Sequence, residues 1–365
     1  MPRKSGWKRA NLRDVAREAG VSVATVSRVL NKPDSVSRPT RERVNAVIER
    51  LRFRRNPAAR AINSGRTRLV GALIPTVDNA IFARFLEGLE SELAERGLSI
   101  IVATTNEDPE VEARKATELL NLGAEGFIVS GVTHSAALER LVEWERLPIV
   151  AISCFEPGYH LPTVGYDNAE AARMALQHLY DLGHRRIAVI HGHTTHNDRT
   201  RTRIAALTAS ELPTDLEFFE FGISVGDGSA AARRVLDAGT DFTACLCLSD
   251  VLAMGLMFEL KRRGLSVPGD MSVSGMEDLP ISEHLFPSLT TIRLPVFDMG
   301  SASARALARW VNEKIQPVPQ KLPIDLVHRQ STTGLDDQRL RMSEPKVPSV
   351  QAAIAASEDS GSKVP

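Results

Sequence analysis

Apolar residues recur at two different periods along this chain of 365 residues, and the change of period divides it. Up to about residue 64 the spacing is helical. Leu12, Val15, Ala16 and Ala19 fall at i, i+3, i+4 and i+7, one face of a two-turn helix, with Asn11 before them as an N-cap. Gly20 ends that helix in the left-handed conformation that a tight interhelical turn needs. Ser22 then caps a second helix whose Val26, Val29 and Leu30 point inward, and a third begins after Ser37 and buries Val44, Val47, Ile48 and Leu51. A shorter signal, NPAARAINSG, follows, with Asn56 as cap, Pro57 in the first turn and a small-residue face of Ala58, Ala59, Ala61 and Ile62.

From Leu69 onward short apolar runs alternate with amphipathic helical segments. LVGALIP, SIIVATT, GFIVSG and PIVAIS are nearly continuous apolar stretches, as expected of strands buried on both faces of a parallel sheet. RRIAVIHG, LEFFEFG, ACLCLS and MSVSGM repeat the scheme. Two α/β halves with a ligand cleft between strand ends are the simple architecture, similar to periplasmic sugar-binding proteins.

Charge follows the same division. Residues 1–68 carry 18 Lys and Arg against 5 Asp and Glu, a net +13, while the whole chain balances 45 against 45. A basic head therefore precedes a body of −13. Such heads usually bind polyanions. The chain is long enough for two or three domains with substantial cores. Its N-terminus, MPRKSGWKRA, leads into an amphipathic helix rather than an apolar signal segment, and three cysteines cannot all pair, so a reducing cytoplasmic setting at the nucleoid, away from any membrane, is expected. The nine histidines show no metal-ligand spacing, and no metal or cofactor is expected.

The head's second helix leaves Ala24, Thr25, Ser27 and Arg28 largely outside. A helix face of small residues plus one Arg can lie deep in a major groove, with Arg28 placed to bond guanine O6 and N7. An ordinary basic bundle with solvated arginines fits the same helices. The NPAARAINSG segment favours DNA, because so short a helix folds only against a surface. Minor-groove DNA and the same helix of a second subunit supply one, with Ile62 as an apolar wedge between base steps.

DVAREAGVSVATVSRVLN, VSRPTRERV and NPAARAINSGRT together resemble the head and hinge of the lac-repressor (LacI/GalR) family of transcription regulators. The resemblance continues through VDNAIFARFLEGLE, LGHRRIAVI, SDVLAMGL, VPGDMSVSGMEDLP and SLTTIR to HRQSTTG, over roughly residues 11–334. It implies an all-α three-helix helix-turn-helix head over 1–55, a hinge helix and linker over 56–68, a two-subdomain α/β effector and dimerisation domain over 69–334, and a disordered tail over 335–365. It places base reading on Val23, Ala24 and Arg28, and phosphate contacts on Ser22, Thr25, Ser27, Asn31, Ser37 and Asn56. In the hinge it puts Ala59 at the DNA and Ile62 in the wedge position usually held by Leu. It further implies three chain crossings between the halves, near Val164–Asp167, Ile292–Pro295 and Pro323–Asp325. The helix in PVFDMGSASARALARWVNEK would then return to the N-terminal half.

The same resemblance assigns cleft contacts to a small-molecule effector, a sugar, sugar acid or related metabolite, at Phe82, Ser153, Arg203, Asp250 and Glu277. Arg203 can hold two oxygens bidentately, Asp250 and Glu277 can accept hydroxyl protons, and Phe82 can stack on a sugar face. Surface ion pairing, or core packing for Phe82, is the alternative. Three positions depart from the family pattern. Ser249 stands where Asn is usual, Met276-Glu277 replaces Tyr/Phe-Asp, and no aromatic lies between Ile223 and Ala232, where the family's namesake places a Trp. In HNDRTRTR, Arg199, Arg201 and Arg203 alternate; several facing inward would suit a sugar acid, whereas a solvated loop would leave only Arg203 in the cleft.

No Gly-rich phosphate loop, helical metal-binding carboxylate pair or nucleophile motif occurs, so no enzymatic activity is expected. The tail is rich in Pro, Ser and charge and has no leucine heptads, which points to a dimer on pseudo-palindromic operator DNA rather than a tetramer. A small-molecule sensor without specific DNA binding is the competing reading.

Overall fold

The computed structural model describes residues 10–54, 65–239 and 241–338. The chain divides into two units at Arg68 and Leu69. The first contains helices α1 (Leu12–Ala19), α2 (Val23–Asn31) and α3 (Arg38–Arg50). Asn11 closes a capping box on α1: its Oδ1 accepts from the Arg13 and Asp14 amides, and Asp14 accepts the Asn11 amide in return. Gly20 takes φ 63° and ψ 38°, which only a glycine adopts without strain, and turns the chain into α2. Val15, Ala16, Ala19, Val26, Val29, Val44 and Val47 form the small core, with Ile48 and Leu51 packed against it.

The second unit holds two six-stranded sheets. In the first, β1 (Leu69–Ile74), β2 (Ser99–Thr104), β3 (Ala124–Ser130), β4 (Ile149–Ile152), β5 (Thr163–Gly165) and β11 (Gln320–Lys321) lie in the order β11-β5-β4-β3-β1-β2. In the second, β6 (Arg186–His191), β7 (Asp215–Glu220), β8 (Ala244–Cys247), β9 (Ser272–Glu277), β10 (Thr290–Arg293) and β12 (Asp325–Val327) follow β12-β10-β9-β8-β6-β7. Every pairing is parallel except β10 with β12. All eight apolar runs are strands. SIIVATT and LEFFEFG are not buried on both faces, however. They supply β2 and β7, the sheet edges, where several residues are half-buried or exposed.

Helices cover the sheets: α4 (Ala80–Glu95), α5 (Pro109–Asn121), α6 (Ala136–Glu145), α7 (Asn168–Asp181), α8 (Asp198–Thr208), α9 (Val225–Ala238), α10 (Asp250–Arg262) and α11 (Val296–Glu313). The chain passes between lobes after β5, after β10 and between β11 and β12, the three crossings expected. Accordingly α11 packs on α4 in the N-terminal lobe. A Cβ on Gly88 would overlap the Phe297 carbonyl oxygen, and one on Gly300 the Phe85 carbonyl oxygen, so the backbones touch at this crossing.

The last described residues belong to the fold rather than to a disordered tail. The Leu335 amide bonds the Leu182 carbonyl, and the buried Gln338 amide donates to the Pro268 and Thr243 carbonyls at 2.7 and 3.2 Å. Residues 339–365 lie outside the described residues, as do Asn56, Ala59 and Ile62 of the hinge.

Candidate functional site

The head presents one face of α2. Ser22 Oγ accepts the Thr25 amide at 3.1 Å and touches the Thr25 hydroxyl, which fixes where the helix starts. Burial of Val26 and Val29 then turns Val23, Ala24, Arg28 and Asn31 outward, with Val23 42% exposed although it is apolar. Thr25 and Ser27 are half-buried beside them, and Asn31 Nδ2 donates to Ser27 Oγ at 3.2 Å. Arg28 makes no ion pair among the described residues, so its five donors are available to a partner. Ser37 precedes α3 without capping it; its exposed hydroxyl donates to Thr40 Oγ1.

Between the lobes, Arg203 is buried, only 7% exposed. Its Nε donates to Asn168 Oδ1 at 2.9 Å and its Nη1 to the Leu248 carbonyl at 3.1 Å. Burial works against the guanidinium charge, which Tyr166 and Glu277 support. Asn168 also donates to the Ser153 carbonyl at 2.8 Å, so Ser153, Asn168 and Arg203 form one chain of bonds across the first crossing. The Tyr166 and Asn168 side chains were not singled out in the sequence. Their signal is their position: a polar Tyr-Asp-Asn directly after a strand that leaves its sheet.

Glu277 ends β9. It is buried, accepts from Ser249 Oγ at 3.0 Å and from the Asp250 amide at 3.3 Å, and its pKa is pushed up to about 8, by burial first and then by the Asp250 carboxylate. Its φ of 133°, with 54° at Asp278 and 68° at Ser153, places strained backbone at the cleft rim. Phe82, in the first turn of α4, is half-buried against the N-lobe core.

Asp250 does not fit its expected role. One carboxylate oxygen accepts from the Leu279 amide and Ser282 Oγ, the other from Thr291 Oγ1, at 2.9, 2.6 and 2.6 Å. Its capacity goes to holding the chain after β9, and it is completely buried. Ser249, the departure beside it, is the residue that reaches Glu277.

The arginine run also differs from its expected form. Residues 198–208 are helical, capped by Asn197, so Arg199 and Arg203 share a face four residues apart while Arg201 points elsewhere. Arg199 is paired with Glu107 at 3.3 Å and Asp198 at 3.0 Å, and the cavity beside it, about 20 Å³, has room for roughly one water. Arg201 bonds the Thr194 carbonyl and Thr133 Oγ1. Arg199 is therefore no free cation for a ligand carboxylate, while the exposed Arg201 spends its donors on neutral oxygens. Among the described residues there is no cluster of His, Cys, Asp and Glu fit for a metal, and no helix is long and apolar enough to cross a membrane.

Known proteins share both parts of this arrangement. Residues 11–56 match the bacterial regulatory proteins of the lacI family, and residues 176–332 match the periplasmic binding protein-like domain. Catabolite control protein A of Priestia megaterium is 32% identical over 87% of this chain and 98% of its own. The lac repressor dimer bound to operator and the anti-inducer ONPF superposes with a TM-score of 0.81, at 26% identity over 89% of this chain and all of that one. A LacI family regulator from Enterococcus faecium with bound ribose gives a TM-score of 0.65 at 26% identity, over 73% of this chain and 99% of its own. A capped helix-turn-helix head and two crossed-over lobes, matched along nearly the whole chain, make this protein a member of the LacI family of bacterial regulatory proteins.

Proposed function

We propose that this protein is a homodimeric, cytoplasmic transcription regulator, a repressor, that binds pseudo-palindromic operator DNA and whose affinity is set by a small molecule held between its lobes. The observation that carries the reading is the outward face of α2, where an apolar Val23, a small Ala24 and an Arg28 with no ion pair among the described residues stand together on a basic head. Solvated surface helices have no use for such a face, whereas the major groove takes it. Ser22, Thr25, Ser27, Asn31 and Ser37 flank it with hydroxyls and an amide suited to phosphates. Asn56, Ala59 and Ile62 complete the DNA surface in this reading.

In the cleft, Phe82, Ser153, Arg203 and Glu277 face the effector, and Asp250 holds the chain that follows Glu277. A neutral, hydroxyl-rich ligand such as a sugar suits this set better than a sugar acid, because Arg199 already carries two carboxylates. The ligand changes lobe orientation and thereby operator affinity, and operator changes ligand affinity by the same factor. No step is chemical, and the protein is not an enzyme.

The decisive experiment is selection of operator sequences from random DNA with the full-length protein, followed by gel-shift titration. Recovery of an inverted repeat bound by a dimer supports the reading. Binding of all sequences equally leaves a sensor without specific DNA binding.

A further inference from the structure

One short segment ties the lobes together across the mouth of the cleft. Asn197 and the first turn of α8 belong to the C-terminal lobe, yet their side chains bond the N-terminal lobe. Asn197 Nδ2 donates to Glu107 Oε1 at 2.8 Å and Arg199 Nη2 to the same oxygen at 3.3 Å. Asp198 Oδ2 accepts the Val132 amide at 2.6 Å, and Arg201 Nη2 donates to Thr133 Oγ1 at 2.7 Å. Asn197 and Asp198 are buried and the Arg199 side chain is 11% exposed, so the bonds to Val132 and Glu107 are largely shielded from the solvent that weakens surface pairs, although the Glu107 side chain is itself 30% exposed and the Arg201–Thr133 bond lies at the surface.

The opposing backbone is shaped for the contact. Gly131 lies against the turn with φ 78°, and a Cβ there would overlap both the Arg199 guanidinium and the Asp198 carboxylate. Only glycine lets the chain after β3 come so close. All the charges in the contact belong to the protein, so none of these bonds waits for a ligand.

We propose that this turn is a latch that holds the lobes closed in the absence of any effector, with Glu107 as its keystone. The proposal rests on the cleft being the effector site. Arg203 lies one helical turn beyond Arg199, so a ligand that takes Arg203 in the opened lobes binds only protein in which the Glu107 and Val132 bonds of this turn are broken. Its apparent affinity is then its intrinsic affinity reduced by the small fraction of open protein. A regulator of this kind is tuned by the strength of the latch as much as by its ligand contacts.

The test is amide hydrogen exchange at Val132 in the full-length protein, shown by native mass spectrometry to carry no small molecule. Slow exchange is expected in the wild type. Glu107→Ala is expected to speed it at least tenfold although Glu107 does not touch Val132, which a purely local role would not do. Glu107→Gln keeps an acceptor for Asn197 but loses the charge opposite Arg199, and should give a smaller acceleration. If Glu107→Ala does not fold, Glu107→Gln and Arg201→Ala carry the test, each read against its own thermal unfolding. Val132 exchanging at the rate of an unstructured amide in the wild type, or remaining slow in every folded variant, would overturn the latch. Operator binding, measured in parallel, reports on the regulator reading alone: its loss with the exchange pattern intact would overturn that reading and not the latch.

Discussion

Single residues decide most of what this protein can recognise. Arg28→Ala is expected to cost about 1–3 kcal/mol of specific operator binding and to relax preference at one base pair per half-site, with little loss on random DNA. Equal losses on both, in gel-shift titrations at fixed salt, would move Arg28 to the phosphates. Glu277 gives a prediction in pH. Because its folded pKa is raised to about 8 from an ordinary 4.5, the unfolded chain releases this proton first as pH rises. Glu277 therefore costs stability progressively between about pH 4.5 and 8, and the cost is full above that window. Urea unfolding of Glu277→Gln against wild type should show the variant gaining in relative stability across that window; parallel curves would mean that Glu277 titrates normally. Arg203 came from the family resemblance, which put a guanidinium able to hold two oxygens at this position of the cleft. The roles of Arg199 and Arg201 were not legible, because alternation along a written sequence mimics a strand, whereas helical geometry separates them. Glu107, 90 residues before its partner Asn197, carries no local signal at all.

At the scale of elements, the short helices of the head depend on their ends. With only eight residues, α1 cannot hold itself, and its capping box satisfies three amides, those of Asn11, Arg13 and Asp14, that would otherwise be unpaired. Asn11→Ala should lower the stability of the head by about 1 kcal/mol, visible as a shift in its own unfolding transition by far-UV circular dichroism. The α4 and α11 crossing is less forgiving. Gly300→Ala forces apart two helices whose backbones touch, at an expected cost of about 1–3 kcal/mol by chemical denaturation. These elements were readable because period and caps are local. The misplaced edge strands show the limit: a run such as SIIVATT reads as doubly buried from its composition, while its place in the sheet depends on which strands pair beyond it.

At the scale of the whole molecule, charge and topology dominate. A head of +13 on a body of −13 should give operator affinity that falls steeply with salt, and a log–log plot of affinity against salt should be linear with a slope of several units. Removing residues 339–365 should leave the sedimentation of the protein and its operator binding unchanged, since that segment is rich in Pro, Ser and charge and carries no leucine heptads. A cut at 335 instead removes the buried Gln338 amide and should destabilise the C-terminal lobe. The two-lobed plan was visible in the repeated apolar runs, but the crossings came only from resemblance. Strands β5, β10, β11 and β12 are short, and nothing in two to four residues says which sheet they join.

Those crossings also set an order of events during synthesis. The head is one contiguous stretch and can fold as soon as it leaves the ribosome. The N-terminal lobe cannot, because α4 receives its partner α11 only after roughly 200 further residues, an interval of about 10–40 s at bacterial rates. For that time the face of α4 around Phe85 and Leu89 has nothing to cover it, while the C-terminal lobe is built almost completely. A nascent chain of this kind has a DNA-binding head before it has a sensor, and its most exposed apolar surface belongs to the lobe that was begun first.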